Sequence, residues 1–110
     1  MYILMIILKK EKYMDEILTA LLNLEVVDVV SIEAESLKNL LGTHLPIFAE
    51  LKFEIREEKK RKILLSLIDD KNIPHKLCRL LKDSFNIDFE NEANGKMVVV
   101  PVIETIGSCD

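Results

Sequence analysis

The stretch Gly95-Lys96-Met97-Val98-Val99-Val100-Pro101-Val102-Ile103-Glu104-Thr105-Ile106 carries the strongest local signal in the chain. A turn-forming Asn94-Gly95 pair precedes consecutive valines, and such a β-branched run predicts a strand over 95–106. Pro101 has no backbone N–H to give a ladder, so the strand is expected at the edge of a sheet, or with the proline placed where its missing N–H faces away from a neighbour. The rest of the chain must supply that sheet.

Working outward, Tyr2–Leu8 is apolar at every position, which predicts a central strand buried on both faces. From Glu11 to Leu24 the apolar residues Met14, Ile17, Leu18 and Leu21 recur at helical spacing, and Asp15 and Glu16 stand near the start, where the helix dipole favours acids. Val26–Glu33 returns to β-branched residues. A strand, helix and strand of these lengths predict parallel pairing through a right-handed crossover. Ala34–Leu41 spaces Leu37, Leu40 and Leu41 as on a short helix, with Gly42 as its stop. A strand with one wet face is expected from Ile47 to Arg56, antiparallel to its predecessor, its charged parity pointing to a partly polar cavity.

A second main helix is expected between Glu57 and Asp70 on the set Ile63, Leu64, Leu67 and Ile68, with Glu57–Arg61 and Glu58–Lys62 as i, i+4 pairs. Asn72 as cap and Pro74 in the first turn predict a further helix to Phe85. Ile87 and Phe89 alternate with Asp88 and Glu90, so a short strand turning back through Asn94-Gly95 is expected. The order is that of an α+β, ferredoxin-like βαββαβ sandwich: a four-stranded antiparallel sheet with helices on one face and an extra helix before the last strand. Its uncovered face, apolar along Tyr2–Leu8 and Met97–Ile103, calls for burial against other copies of the chain.

The chain has 110 residues, enough for one domain over 1–110 with a single core. With 49% hydrophobic and 31% charged residues and a net charge of −4, it is globular in composition and poorly suited to nucleic acid or an anionic membrane. The apolar run Tyr2–Leu8 is too short for an anchor and lacks the preceding cation of a signal peptide. Cys78 and Cys109 do not form a disulfide framework, which points to a reduced, cytoplasmic setting.

The last strand, together with Met14-Asp15-Glu16-Ile17-x-x-Ala20-Leu21 in the first helix, resembles the PII nitrogen-regulatory signalling proteins. Their final strand reads G-K-[IM]-[FV]-V-x-P-V, and their first helix L-D-E-V-x-x-A-L. The resemblance implies a non-catalytic homotrimer with ligand clefts between subunits, responsive to adenine nucleotides or 2-oxoglutarate. It also implies docking to a membrane transporter or metabolic enzyme through a loop between the second and third strands. Here the span Ala34–Pro46 is shorter than that loop, and Gly107-Ser108-Cys109-Asp110 lacks the arginines that grip phosphate. No cofactor is therefore expected, and a triphosphate fits poorly.

Gly95 and Lys96 remain as candidate ligand-binding residues, and His44 joins them from the position of the partner-reading loop. Leu37, Leu41, His44 and Phe48 are the candidate partner surface. His75 and Cys78, at i and i+3, have the spacing of two metal ligands, but no further ligand is spaced with them, so no metal site is expected. The run Lys59-Lys60-Arg61-Lys62, beside Glu57 and Glu58, reads as a solvated face. No nucleophile set is present in the sequence, so no motif supports an enzyme, and the resemblance implies a small-molecule sensor. The alternative is an adaptor trimer that works through contacts of 34–48.

Overall fold

A computed structural model describes residues 1–35 and 61–107. Among them the order is β1 (Tyr2–Leu8), a single 3-10 turn (Glu11–Tyr13), α1 (Met14–Asn23), β2 (Val29–Ala34), β3 (Arg61–Ile68), α2 (Ile73–Phe85) and β4 (Gly95–Pro101). The expected helix of 34–41 and strand of 47–56 lie essentially outside the described residues. So do His44, Leu37, Leu41 and Phe48.

The molecule is α+β, with the strands in the order β2-β3-β1-β4. Every neighbouring pair is antiparallel. β1 is central, as its uniformly apolar sequence requires, and β4 is an edge strand. Pro101 stands opposite Tyr2 at the very end of the β1–β4 ladder, where its missing N–H costs least. The ladder is extended by one bond, from the Val102 N–H to the Met1 carbonyl at 3.0 Å. The chain leaves the strand there, short of the expected Ile106, and Ile103 and Ile106 are exposed.

The largest departure from expectation is in the second half of the chain. Residues 61–68 are strand, not helix, and β3 fills the slot between β1 and β2. The run Ile63-Leu64-Leu65-Ser66-Leu67-Ile68 is apolar at both parities, and periodicity cannot tell a short run of that kind in a buried strand from one in a helix. The decision is tertiary, because β3 supplies backbone partners to two strands at once. The one polar side chain between Ile63 and Ile68, Ser66, is buried and donates its hydroxyl to the Asp28 carbonyl at 2.9 Å. With 61–68 in the sheet, the helix before the last strand is no longer an extra one; it is the second of two among the described residues. β1 and β2 run parallel but are separated by β3, so the expected direct parallel pairing does not occur.

The helices cover one face of the sheet. Leu4, Ile6 and Leu8 of β1 and Leu64 and Ile68 of β3 share a core with Ile17, Ala20 and Leu21 of α1 and Ile73, Leu77 and Leu81 of α2. The buried stripe of α1 runs through Ala20 and leaves Leu18 exposed, one position off the expected face. Glu25 takes a left-handed conformation (φ 63°) after α1. Its N–H reaches the Leu22 carbonyl and the Val26 N–H reaches that of Leu21, a Schellman ending that satisfies carbonyls the helix leaves open.

At the start of α2, Asn72 makes no side-chain cap. Asp70 serves instead, accepting the Asn72 N–H at 2.8 Å and the Lys76 ammonium at 2.9 Å. At its end Asn86 turns the chain through the left-handed region (φ 56°), which a short amide side chain tolerates. Residues 87–94 then form no strand, and Asn94-Gly95 makes no hairpin. Asp88 and Asn91 each accept an N–H two residues on, the signature of Asx turns. Ile87 and Phe89 are buried by this loop as anchors to the core. Their alternation with charged residues reflects an irregular segment dipping inward at every second position.

Candidate functional site

Where β4 begins, an open cleft of about 880 Å³ lies between α2, the loop after it and the end of β1. Helical spacing builds one wall. His75, Cys78, Arg79 and Lys82 recur at i, i+3, i+4 and i+7 on the side of α2 away from the buried Leu77 and Leu81. The loop contributes Asp88, Glu90 and Glu92, the residue after β1 Lys9, and the start of β3 Arg61.

Gly95 and Lys96 both line this cleft. Gly95 has φ +148°, and a Cβ there would run into the Ile7 carbonyl oxygen and press on the Phe89 ring at 3.0 Å. Glycine is thus required by the close approach of β4 to β1 and by the Phe89 anchor beneath it. The turn before it is held by Asn94, a buried residue whose amide donates to the Asp88 carbonyl at 2.7 Å. Alternation along β4 sends Gly95, Met97 and Val99 toward the helices and Lys96, Val98 and Val100 toward the other face. The cleft consequently wraps around the strand's end.

Among the described residues, five cationic side chains (Lys9, Arg61, Arg79, Lys82, Lys96) and three carboxylates (Asp88, Glu90, Glu92) line it, an excess of two positive charges by subtraction. The whole chain is −4. A cationic concavity on an acidic protein draws small anions toward it. Of these five the sequence kept Lys96 as a candidate and read Arg61 as part of a solvated run; the Arg79–Lys82 stripe at i, i+3 was the signal that could have found two more. Lys62, from the basic run read as a solvated helix face, sits instead on β3 with Glu33 at 3.4 Å and Glu11 at 3.8 Å.

The expected i, i+3 pair His75 and Cys78 also lies in the cleft. Cys78 is half-buried and free. Its thiol stands 3.7 Å from the thioether of Met97, across the α2–β4 contact. Burial pushes the Cys78 thiol pKa up, and the negative charges of Glu90 and Asp88 add to the rise.

The opposite face of the sheet is apolar as well. Val30 and Ile32 of β2, Leu67 of β3 and Val100 of β4 are exposed on it at 57%, 42%, 41% and 41%. No described element covers them. No described helix is long and apolar enough to cross a membrane. No family model matches the chain, and no curated protein matches it.

Proposed function

We propose that the chain is a non-catalytic regulatory module of the PII-like kind, ferredoxin-like in its βαββαβ order, which binds a small anionic metabolite and passes its occupancy to a partner protein in the cytoplasm. The observation that carries the reading is the cationic cleft around Gly95 and Lys96, the two residues that the motif resemblance singles out. The strand order β2-β3-β1-β4, with both helices on one face, supports the ferredoxin-like arrangement. The exposed apolar residues of the other face support self-association into the trimer that the resemblance implies.

The ligand that suits this cleft is a compact anion. Lysine and arginine side chains reach it from several elements, and the acids of 88–92 disfavour a long polyphosphate by repulsion. A transporter or a metabolic enzyme is the partner class that the resemblance offers.

The test is a thermal-shift panel of ADP, ATP, 2-oxoglutarate, bicarbonate and inorganic phosphate on wild type and Lys96→Ala. A ligand at 100 times its Kd stabilises by about 2.7 kcal/mol, and that shift should be lost or strongly weakened in the variant. If no anion moves wild type, the sensor reading fails and the adaptor reading, through residues 34–48, takes its place.

A further inference from the structure

The outer edge of β4 carries a definite pattern of backbone groups. At one end of the β1–β4 ladder the Val102 N–H reaches the Met1 carbonyl, and at the other the Lys9 N–H reaches the Asn94 carbonyl. Along an antiparallel pair, residues that bond to one neighbour alternate with residues that do not. Asn94, Lys96, Val98, Val100 and Val102 therefore turn their backbone groups to β1, while Gly95, Met97, Val99 and Pro101 turn theirs outward. Among the described residues β4 pairs with β1 alone. Past Val102 the chain has outrun β1, and Ile103 and Ile106 stand 101% and 93% exposed.

We propose that this edge and the segment after it pair with the same stretch of a second copy of the chain, antiparallel, about a twofold axis at Val100. The sequence is self-complementary in that register. Val100 faces itself, Val98 faces Val102 of the second copy, and Lys96 faces Glu104 of the second copy. These are the pairs without mutual hydrogen bonds, whose side chains come closest, so an ion pair flanks the apolar centre on either side. Between them Met97 exchanges backbone bonds with Ile103 of the second copy, and Gly95 with Thr105. The Val99 N–H donates to the opposite Pro101 carbonyl, and only the bond that proline cannot return is missing. Sliding the pairing to the next position of the same parity sets Lys96 against Val102 or Ile106, a charge against an apolar side chain.

A lysine and a proline on a sheet edge guard it against indiscriminate pairing. Here they select the occupant, which must bring a carboxylate opposite Lys96 and require no donor from Pro101. The chain's own 95–106 stretch meets both conditions. Lys96 and Glu104 are exposed, and neither has an ion-pair partner among the described residues. The contact uses the edge of the sheet and not its open face. It does not rest on the anion reading; Lys96 is common to both, so the pairing is tested without added ligand.

The experiment joins sedimentation equilibrium at low salt to cysteine crosslinking. Wild type should dimerise. Glu104→Lys and Lys96→Glu should each weaken the dimer tenfold or more, and the two together should restore it. Both positions are exposed, so the single variants should melt as wild-type monomer does, which checks that they fold. The register is read in Cys109→Ser protein. Facing Cα atoms of such a pair stand about 4.5 Å apart, within reach of a disulfide. Val100→Cys should therefore link to its own copy on mild oxidation. Val98→Cys and Val102→Cys should each link poorly alone and well when mixed. A monomer at every concentration, an assembly indifferent to the charge variants, a double exchange that restores nothing, or a Val100→Cys protein that links no better than Val98→Cys would each overturn the pairing.

Discussion

The two faces of the sheet are nearly matched in composition and opposite in environment. On one, Leu4, Ile6, Leu8 and Leu64 are at most 2% exposed beneath α1 and α2. On the other, Ile3, Met5, Ile7, Ile63 and Leu65 are half-buried, and Leu67 and Val100 are exposed. Hydrophobicity alone therefore does not say which side of this sheet is the core. The helices decide that, because their buried stripes reach only one face, and the described elements leave the other apolar face uncovered.

The sharpest probe of this asymmetry is a pair of identical substitutions on β3. Leu64→Ala, on the helix face, should cost about 2–5 kcal/mol through lost transfer energy and a residual cavity. Leu67→Ala, on the open face, should cost about 0.5 kcal/mol or less in dilute solution. Urea denaturation measures both. Equal costs would mean that the open face is buried in the working assembly, and the cost of Leu67→Ala should then grow with protein concentration.

A smaller effect is expected from Gly95→Ala, where the helix-face parity of β4 ends. The positive φ contributes about 1–3 kcal/mol of strain. The new methyl must also displace the Ile7 carbonyl or the Phe89 ring. Because the same residue shapes the cleft, anion-induced thermal shifts should fall together with stability. A fully stable Gly95→Ala protein would show that the β1–β4 approach is looser than described.

The smallest effect concerns the exposed rim, away from either apolar face. The Asn72 N–H and the Lys76 ammonium hold the Asp70 carboxyl below its ordinary pKa. A depressed folded pKa contributes stability that is present above the unfolded value of about 3.9 and is lost as the pH falls through the folded one. Asp70→Asn should therefore lower Tm slightly near neutral pH and leave it unchanged in strong acid. A Tm difference that persists undiminished in acid would assign the effect to the Asn72 bond alone. Salt should shrink the neutral-pH difference, since the ion pair with Lys76 is in water.

Much of the fold was legible residue by residue. The uniformly apolar Tyr2–Leu8 made a central strand, Pro101 marked an edge, and Pro74 with the spacing of Leu77, Leu81 and Phe85 located a helix. At 61–68 the same method failed, because five of the six residues from Ile63 to Ile68 are apolar and no period survives such a run. Of the cleft, Gly95 and Lys96 were legible through their motif. Arg79 and Lys82 were hidden in plain helical spacing, and the Cys78–Met97 contact was invisible because its halves are on different elements.

The sequence by itself determined local preferences: an extended Tyr2–Leu8, helical spacing after Glu11 and after Pro74, and a proline that ends a ladder. Only the tertiary structure decided that 61–68 pairs with two strands, which apolar face lies under the helices, and which side chains converge on one cleft. The physical reason is range. Periodicity and propensity act over a turn or a pleat, whereas burial and strand pairing are settled by contacts between residues tens of positions apart, whose partners no local window contains.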